Sequence, residues 1–384
     1  MWLIYKILKG QKYDKNLYFY WVNFLLYFFI ICCVYQIAYQ LLLLVTIVRH
    51  KRKSVTQPFN PSKTPAVSVV ICAKNETENL QKHLPYVLNQ DYPDFEVILV
   101  DDGSDEPLNI THDRLTIVTI KKGEKKGLGK KHALRNGILA ARNELVLLTD
   151  ADCQPVSKNW ITEMTGCITG EQKIVLGISP YKTASSILNG LIEYETAQTA
   201  LQYIGFALLG NPYMSVGRNV LYDRNLLLQK KWTKEELSIA SGDDDLAIQT
   251  LATQENTTVC LSKESHTISE PKKTWKDFIQ QKMRHYESGS LYKLSHRILL
   301  GSYLTAKLFL YAFFLILLTT NAAVFCVIIL LTYQISLTLI SSILYNNSGI
   351  NKQWPFAFLN DILYCIFTVT LGLRSRTKPV KNWK

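Results

Sequence analysis

Two long stretches without a charged residue limit what this chain can fold into. One lies between Asn16 and Val48, and the other lies between Leu308 and Asn351. A helix of about 20 apolar residues spans a bilayer, so each stretch is long enough to cross a membrane. The first stretch exceeds the apolar core of a signal peptide and lacks a small-residue cleavage site, so we expect it to remain as one long anchor helix.

The C-terminal stretch is long enough for two helices, and its most polar interruption is the "TTN" that ends at Asn321. The next apolar piece, Ile362–Leu373, follows Asp361 and has only about twelve residues, which favours an interfacial or re-entrant segment. Two spans would also return the basic tail to the cytoplasm, as the positive-inside rule favours. The sequence therefore predicts a multi-pass protein of the cell (inner) membrane, with one N-terminal and two to three C-terminal membrane helices.

The formal net charge is +12, which is compatible with a nucleic-acid partner. Many basic residues flank the apolar stretches, however, and contact with anionic lipid headgroups explains their position better. The eight cysteines are scattered and form no Cys-x-x-Cys pair, which indicates neither a disulfide framework nor a zinc site. We therefore expect a lipid bilayer as a partner, no nucleic acid, and a soluble part that lies in the reducing cytoplasm.

A proline-rich linker, "QPFNPSKTP" from Gln57 to Pro65, separates the anchor from the soluble part. We expect three divisions: residues 1–56 as N-terminal membrane anchor and basic flank, residues 57–295 as a cytoplasmic domain, and residues 296–384 as C-terminal transmembrane or interfacial helices with a basic tail. From Trp275 to Leu299 the sequence is basic and aromatic, which is typical of a segment at the membrane interface.

The soluble part begins with short apolar runs separated by helical stretches: "AVSVVICA", "FEVILVDDGS", "RLTIVTI" and "ELVLLTDADC". Runs of this kind are typical of buried parallel strands. Between Lys130 and Arg142, Leu134, Ile138 and Ala141 recur at helical spacing. The alternation of strand and helix predicts an α/β fold built on a doubly wound sheet flanked by helices.

Two of these runs end in acidic residues. Asp101 and Asp102 follow "VILV", and Asp150 and Asp152 follow "LVLLT". The carboxyl ends of strands form the ligand crevice of open α/β sheets. Paired carboxylates there suit Mg²⁺ or Mn²⁺, which complete their coordination with phosphate oxygens and water. A chain of this length contains about one Asp-x-Asp by chance, so this motif is weak evidence when taken alone.

Two further segments are rich in charge. In "KKGEKKGLGKKHALRNG", Lys131 occupies the position where a P-loop needs Ser or Thr, so the segment is either a diphosphate-neutralising loop or a solvated basic loop. In "SGDDDLAI", Asp243, Asp244 and Asp245 bring three like charges together, which is unfavourable in a core unless ligands or hydrogen bonds compensate. A solvated helix N-terminus is the alternative for this cluster.

Taken together and in order, the motifs from Pro65 to Gly289 resemble the family 2 glycosyltransferases with the GT-A fold, and specifically their membrane-integrated members. The segments that carry the resemblance are "PAVSVVICAKNETENL", "VDDGS", "GKKHALRNGI", "LLTDADC", "VGRNVLYDR", "SGDDDL" and "QKMRH". Several motifs in one order are much more specific than a single motif, because chance matches multiply. The resemblance implies a GT-A-like mixed sheet.

The resemblance also implies roles for individual residues. Nucleotide and donor contacts fall to the residues that match the first motifs and the wall segment: Ala73, Asn75, Glu76, Asp102, Lys130, Asp150, Gly217 and Asn219. Asp152 is the expected direct metal ligand, with Asp150 beside it, and Asp244 is the expected catalytic base. The acceptor is expected at Asp243 and at the residues that match the last motif, Gln281, Arg284 and His285.

In this interpretation the protein is a hexosyl- or N-acetylhexosaminyltransferase that inverts the anomeric carbon. Its donor is a nucleotide-diphosphate sugar, with UDP favoured by the resemblance, and its acceptor is membrane-associated and lipid-linked. Three other classes are compatible with parts of the sequence: a transporter subunit, an inactive nucleotide-binding membrane scaffold and a nucleotidyltransferase. The apolar stretches lack the ionisable residues of a transport path, and the acidic motifs disfavour the other two classes.

One departure from the family bears on the product. In processive synthases the last motif ends in tryptophan, whereas this chain has His285. Imidazole offers a smaller apolar face for stacking on a sugar than indole does, although Tyr286 or Trp275 could supply the platform instead. The small membrane part also leaves little material for a polymer channel. We therefore expect non-processive transfer, with a processive polysaccharide synthase as the alternative.

Overall fold

The computed structural model describes residues 15–53, 64–121, 123–124, 127–348 and 357–377. The chain divides into two compact units, and each is described by itself below. The first unit comprises Met1–Leu42 and Ile298–Ile343, and the second comprises Leu43–Arg297 and Leu344–Lys384. The linker predicted at residues 57–65 lies outside the described residues except for its last two positions.

The second unit contains a mixed sheet, in agreement with the predicted fold class. Within the described residues its seven strands have the order β3-β2-β1-β4-β7-β6-β8, and β5 and β9 form a separate pair. The strands are β1 (Val67–Ala73), β2 (Phe95–Asp101), β3 (Leu115–Thr119), β4 (Leu145–Asp150), β5 (Cys153–Pro155), β6 (Ile174–Leu176), β7 (Val220–Asp223), β8 (Thr257–Val259) and β9 (Thr267–Ser269). The first four are parallel, and β7 is antiparallel to β4.

Helices occupy connections between these strands and also lie before β1 and after β9 in the described part of the chain. They are α1 (Lys15–Lys53), α2 (Thr77–Leu88), α3 (Lys131–Ala140), α4 (Trp160–Gly166), α5 (Ile187–Leu208), α6 (Arg224–Leu228), α7 (Lys234–Leu237), α8 (Asp245–Leu251), α9 (Trp275–Ser288), α10 (Leu294–Leu317), α11 (Ala323–Ser348) and α12 (Ala357–Thr377). The helix predicted after Lys130 is α3.

The core of this unit lies on both faces of the parallel strands. Every residue of β1 and β2 is buried, as expected for strands covered by helices on two sides. On one face, α2 and α4 pack against the sheet around the fully buried Trp160. On the other face α3 approaches closely, because a Cβ at Gly137 would lie 2.5 Å from Val70 Cγ1. This packing fixes the carboxyl ends of β1, β2 and β4 relative to one another.

Among the described residues, three helices are long and apolar enough to cross a membrane: α1, α10 and α11. The anchor is one continuous helix of 39 residues, which is about 58 Å long at the α-helical rise. In the C-terminal hairpin α10 ends at Leu317 and α11 begins at Ala323, so the break contains Asn321 as predicted. The structure thus agrees with one N-terminal and two C-terminal candidate spans.

The last helix, α12, is not among these candidate spans and belongs to the second unit. It packs on α5 and α9 through polar as well as aromatic residues. Asn360 and Asp361 are buried, and the Tyr194 hydroxyl on α5 donates a hydrogen bond to the Asp361 carboxylate. The Trp275 ring on α9 stacks on Phe367 at 5.5 Å between centroids. Helix α12 thus buries polar residues against α5 and α9 within the second unit, and the division into residues 1–56, 57–295 and 296–384 stays a prediction.

Candidate active site

The ends of three neighbouring strands meet at one edge of the sheet. Ala73 pairs with Asp101, and the preceding Cys72 pairs with Asp150. The backbone N–H of Asp102 donates to the Ala73 carbonyl at 2.8 Å, which holds the turn after β2 against the end of β1. The predicted nucleotide residues Ala73 and Asp102 therefore lie side by side, next to the start of the Asp-x-Asp motif.

Asn75 joins the loops that follow β1 and β2. Its φ of 55° lies in the left-handed region, which asparagine tolerates better than most residues. Its side-chain amide donates to Asp105 Oδ2 at 2.9 Å and accepts from the Asp105 N–H at 2.8 Å. The next residue, Glu76, precedes α2 and accepts a hydrogen bond from Asn79. These contacts give the first predicted nucleotide loop a defined shape.

The candidate metal ligands lie at the end of β4. One ligand atom each of Asp150, Asp152 and Cys153 lies within 4.8 Å of the others. The Cys153 thiol contacts Asp152 Oδ1 at 3.4 Å and Ser269 Oγ at 2.8 Å. Burial raises the pKa of this thiol well above its ordinary value, so it remains protonated. Because Mg²⁺ and Mn²⁺ prefer oxygen ligands, the two carboxylates fit a hard cation and the thiol does not.

Lys130 connects the Asp-x-Asp motif with the acidic cluster. Its Nζ atom lies 2.8 Å from Asp150 Oδ1 and 3.1 Å from Asp243 Oδ2. Burial opposes the lysine charge, but the carboxylates of Asp150 and Asp243 outweigh it and hold the Lys130 pKa well above its ordinary value. Burial likewise opposes the charge of Asp150, and Lys130 lowers the Asp150 pKa below its usual range. Two motifs that are distant in sequence therefore both pair with the Lys130 ammonium.

The described end of the glycine and lysine segment that leads into α3 is held by contacts with the protein and is not a solvated loop. Lys131 is buried, and its ammonium donates to the carbonyls of Ile239 and Ser241. At Gly129, where φ is +71°, a Cβ would lie 2.1 Å from the Ala240 carbonyl oxygen, so only glycine permits this approach. The segment holds the loop that leads into Asp243.

Asp244 is the N-cap residue of α8. Its Oδ2 atom accepts from the Gly217 N–H at 2.6 Å, and its Oδ1 atom accepts from the Asp245 N–H at 2.9 Å. Burial and the neighbouring charge of Asp243 raise the pKa of Asp244 to about 6, although Lys130 and the two N–H groups act in the opposite direction. A Cβ at position 217 would lie 3.0 Å from Asp244 Oδ2, so glycine allows this contact.

The three acids of the cluster have different environments. Asp243 is buried and paired with Lys130. Asp245 is buried and accepts hydrogen bonds from Tyr292 and Ser288. Asp244 alone of the three retains intermediate exposure. An acceptor hydroxyl can therefore approach Asp244 more easily than either neighbour.

Arg218 is a candidate site residue that the sequence reasoning missed. Its Nε and Nη2 atoms donate to the side chain and carbonyl of Ser179, each at 2.7 Å, and its guanidinium lies 4.6 Å from the centre of the Tyr181 ring. Gln281 donates to the Tyr181 hydroxyl at 3.3 Å. Tyr181 therefore links the predicted acceptor residue Gln281 to Arg218, and no sequence motif includes Tyr181 or Ser179.

Comparison with known proteins identifies the family and the fold of this region. Residues 68–228 match the family model described as Glycosyl transferase family 2. This region is a family 2 glycosyltransferase domain. Its fold is GT-A-like, and the mannosyltransferase PcManGT from Pyrobaculum calidifontis, solved with GDP-Man and Mn²⁺, has a similar fold. The TM-score is 0.51 at 16% identity, with 89% of this chain and 98% of that chain covered.

Curated relatives match parts of the same domain. Glycosyltransferase AglE of Haloferax volcanii is 34% identical over 119 residues, which are 28% of this chain and 37% of the relative. The poly-beta-1,6-N-acetyl-D-glucosamine synthase of Staphylococcus epidermidis is 30% identical over 132 residues, covering 34% and 32%. The 4,4'-diaponeurosporenoate glycosyltransferase of Staphylococcus aureus is 26% identical over 177 residues, covering 45% and 42%. The matches thus span between about a third and two fifths of each relative.

Within the glycosyltransferase domain, Asn219 is expected from the sequence to contact the donor from the wall segment, but its side chain is buried in the interior. Its side chain has no exposed surface. Its amide accepts from Trp160 Nε1 at 3.0 Å and donates to the carbonyls of Ile178 and Ser265, each at 2.8 Å. These bonds satisfy the donors and the acceptor of the buried amide within the protein, as buried polar groups require. Asn219 thus holds the backbone beside Gly217 and Arg218 and has no surface for a ligand.

The last predicted motif of the glycosyltransferase domain lies on α9. The charge of Arg284 acts on Asp150 and contributes to its lowered pKa. His285 is an exposed residue of this helix. Partial desolvation, and then the positive charges of Lys282 and Arg284, lower the His285 pKa well below its ordinary value. His285 is therefore neutral near pH 7, and its ring can donate or accept a hydrogen bond.

Proposed function

We propose that this protein transfers a sugar from a nucleotide-diphosphate sugar, with UDP as the nucleotide, to an acceptor hydroxyl in or at the membrane. The observation that carries the proposal is the position of Lys130 between Asp150 and Asp243. This ion-pair network brings the Asp-x-Asp motif and the loop of the proposed base to one edge of the sheet. The leaving group of the donor and the nucleophile of the acceptor can then lie close to each other.

On the donor side, the loops after β1 and β2 would hold the base and ribose through Ala73, Asn75, Glu76 and Asp102. Lys130 would neutralise part of the diphosphate, and Gly217 would shape the wall beside the sugar. The hydrogen bonds between Asn75 and Asp105 support this assignment, because a rigid loop loses little conformational freedom when it binds a ligand.

Asp150 and Asp152 would hold Mg²⁺ or Mn²⁺. When bound, such a cation balances the negative charge that develops on the leaving diphosphate. The close approach of the two carboxylates supports the assignment, and so does the Mn²⁺ in the mannosyltransferase of similar fold. Arg218 and Arg284 would add positive charge at the same place.

On the acceptor side, the oxygen of the hydroxyl attacks the anomeric carbon while the bond from that carbon to the diphosphate oxygen breaks. Asp244 accepts the hydroxyl proton, and the nucleotide diphosphate leaves from the opposite face, so the anomeric configuration inverts. A general base works best when its pKa lies near the working pH, and the raised pKa of Asp244 meets this condition. Asp243, Gln281, Arg284 and His285 would line the acceptor side.

The transferase activity should fall in acid as Asp244 becomes protonated. Because the ionised form is the base, and its pKa is about 6, kcat/KM should be constant above pH 7 and fall about tenfold per pH unit below 6. Initial rates from pH 4.5 to 8.5 test this, with UDP binding measured over the same range as a control for loss of structure. A rate that stays constant down to pH 5 would contradict the assignment.

The membrane is the proposed source of the acceptor. The candidate spans α1, α10 and α11 suit an enzyme of the cell (inner) membrane, with its catalytic domain in the cytoplasm and a lipid-linked acceptor. The relatives differ in product, because one is named a polymer synthase and another a glycosyltransferase for 4,4'-diaponeurosporenoate. His285 in place of tryptophan and the small membrane part favour addition of one or very few sugars.

Sizing of the products tests non-processive transfer. With labelled donor and membranes as the source of acceptor, we expect one or a few sugars per acceptor at every time point. The physical reason is that His285 gives an elongating chain less stacking surface than indole does. A high-molecular-weight polymer at a low ratio of enzyme to acceptor would identify a processive synthase instead.

A screen of the purified full chain against nucleotide sugars tests the proposed function as a whole. Nucleotide release is measured with Mg²⁺, with Mn²⁺ and with a chelator, in the presence and absence of membrane lipid extract. We expect metal-dependent release from a UDP-sugar that increases with lipid. Binding of UDP without release from any donor would identify a nucleotide-binding membrane scaffold instead. The donor from which nucleotide is released fastest then distinguishes a hexosyl- from an N-acetylhexosaminyltransferase.

A further inference from the structure

Helix α8 begins beside the proposed base, and it is hydrogen-bonded at two points to residues 288–296, which we call the clamp segment. At the first residue of α8, Asp245 Oδ2 accepts from the Tyr292 hydroxyl at 2.6 Å and from Ser288 Oγ at 3.1 Å. One turn later, Gln249 Oε1 accepts from the Lys293 N–H at 3.1 Å. Residues four apart lie on the same face of a helix, so the hydrogen bonds of Asp245 and Gln249 with the clamp segment lie on one side of α8.

Gln249, the residue of the second contact, is hydrogen-bonded to further residues on both sides. His296 Nδ1 lies 2.9 Å from Gln249 Oε1, and its Nε2 lies 2.8 Å from Asn211 Oδ1. Gln249 Nε2 donates to the Tyr213 carbonyl at 2.8 Å. The orientation of the Gln249 amide is fixed because its nitrogen faces a carbonyl and its oxygen faces an N–H. The clamp segment therefore contacts α8 through a continuous network of hydrogen bonds.

Four of the residues in this network are buried and therefore closed to substrate. The exposed fractions are 9% for Asp245, 5% for Gln249, 0% for Ser288 and 3% for His296. A general base has to come within hydrogen-bond reach of the proton that it removes. Asp245 already directs one oxygen at two hydroxyl donors in the interior, so it is poorly placed to meet an acceptor.

The backbone N–H of Asp245 links this network to the proposed base. That N–H donates to Asp244 Oδ1 at 2.9 Å, while the Gly217 N–H holds Asp244 Oδ2 at 2.6 Å. Any shift of Asp245 moves one of the two donors that orient the Asp244 carboxylate. A displacement of about 1 Å in such a group can lower a rate by about 10²-fold.

We propose that Asp245 is a positioning residue: its hydrogen bonds to Tyr292 and Ser288 fix the first turn of α8 and thereby aim Asp244 at the acceptor hydroxyl. This inference rests on the proposed role of Asp244 as the base. It makes Tyr292, which lies outside every motif of the family resemblance, a contributor to the rate of transfer.

The test compares Tyr292→Phe with Tyr92→Phe. Both changes delete one tyrosine hydroxyl that donates at 2.6 Å, to Asp245 in the first case and to the Pro65 carbonyl in the second. With the donor that the wild type uses fastest, we expect Tyr292→Phe to lower kcat about tenfold, which corresponds to the loss of one hydrogen bond. The donor KM, and the Kd for UDP with Mn²⁺ by calorimetry, should remain unchanged. Tyr92→Phe should keep kcat within twofold of the wild type.

A second pair of variants distinguishes positioning from base catalysis. Asp245→Asn keeps an oxygen that accepts from both hydroxyls, so it should lose less than tenfold in kcat, whereas Asp244→Asn should lose far more. Equal kcat for Tyr292→Phe and Tyr92→Phe would overturn the inference, and so would a loss in Asp245→Asn as large as that in Asp244→Asn. Failure of the proposed function is seen separately, because the wild type would then release no nucleotide from any donor.

Discussion

Replacement of Asp244 by asparagine should lower kcat by about 10²- to 10⁴-fold, the usual contribution of a general base, without loss of donor binding. Asparagine caps helices as well as aspartate does, so the hydrogen bond from the Asp245 N–H to this side chain can persist. An amide cannot accept the acceptor proton at neutral pH. The variant should therefore bind UDP with Mn²⁺ normally and fail at transfer.

Single-turnover kinetics and calorimetry with UDP measure the two properties of Asp244→Asn separately. Asp223→Asn is a matched control, because Asp223 caps α6 by accepting from the Leu226 N–H at 2.8 Å and lies at the opposite end of β7 from Gly217. A larger loss in Asp243→Asn than in Asp244→Asn would move the role of base to Asp243, which is paired with Lys130.

Replacement of Asp152 by asparagine should abolish metal-dependent turnover at limiting Mn²⁺. An amide offers one good ligand oxygen and no charge to balance the cation. Loss of an outer-sphere partner of a metal ligand commonly costs about 10- to 100-fold in metal affinity, so the loss of a direct ligand should weaken Mn²⁺ binding at least as much. Higher Mn²⁺ concentrations should restore part of the rate.

Titration of Mn²⁺ in the presence of UDP, followed by electron paramagnetic resonance, measures this affinity without reference to turnover. Asp94→Asn is the control, because it makes the same chemical change at an exposed position before β2. Full activity of Asp152→Asn at limiting Mn²⁺ would show that Asp152 is not a ligand. Asp150→Asn would be harder to interpret, because Asp150 also pairs with Lys130.

The sequence predicts the first half of the sheet well because each strand there is a continuous apolar run. The four runs correspond to β1, β2, β3 and β4, and the acidic ends of β2 and β4 lie at one edge of the sheet. Parallel strands buried on both faces leave this pattern in a sequence. The positions of Asp102, Asp150 and Asp152 follow from the strand ends, so half of the candidate site is predictable in outline.

The second half of the site depends on contacts that no local pattern encodes. Strand β7 inserts beside β4 and antiparallel to it, although β5 and β6 intervene in the sequence. The bond between Gly217 and Asp244 and the link from Arg218 to Tyr181 depend on this insertion. Asn219 shows the limit most clearly, because a motif can locate a residue on a loop without indicating which side of the backbone its side chain occupies.

The packing of α12 has a consequence for the production of a soluble enzyme. Truncation before α10 would strip the partner from the Tyr194 hydroxyl on α5 and uncover the aromatic faces that Phe367 covers on Trp275 and Phe278. Exposed apolar patches of this kind promote aggregation. A fragment that omits the first unit, residues 1–42 and 298–343, and rejoins the chain after residue 297 through a short flexible linker would retain α12 on the catalytic unit. Such a fragment should yield a better-behaved preparation than the simple removal of everything after α9.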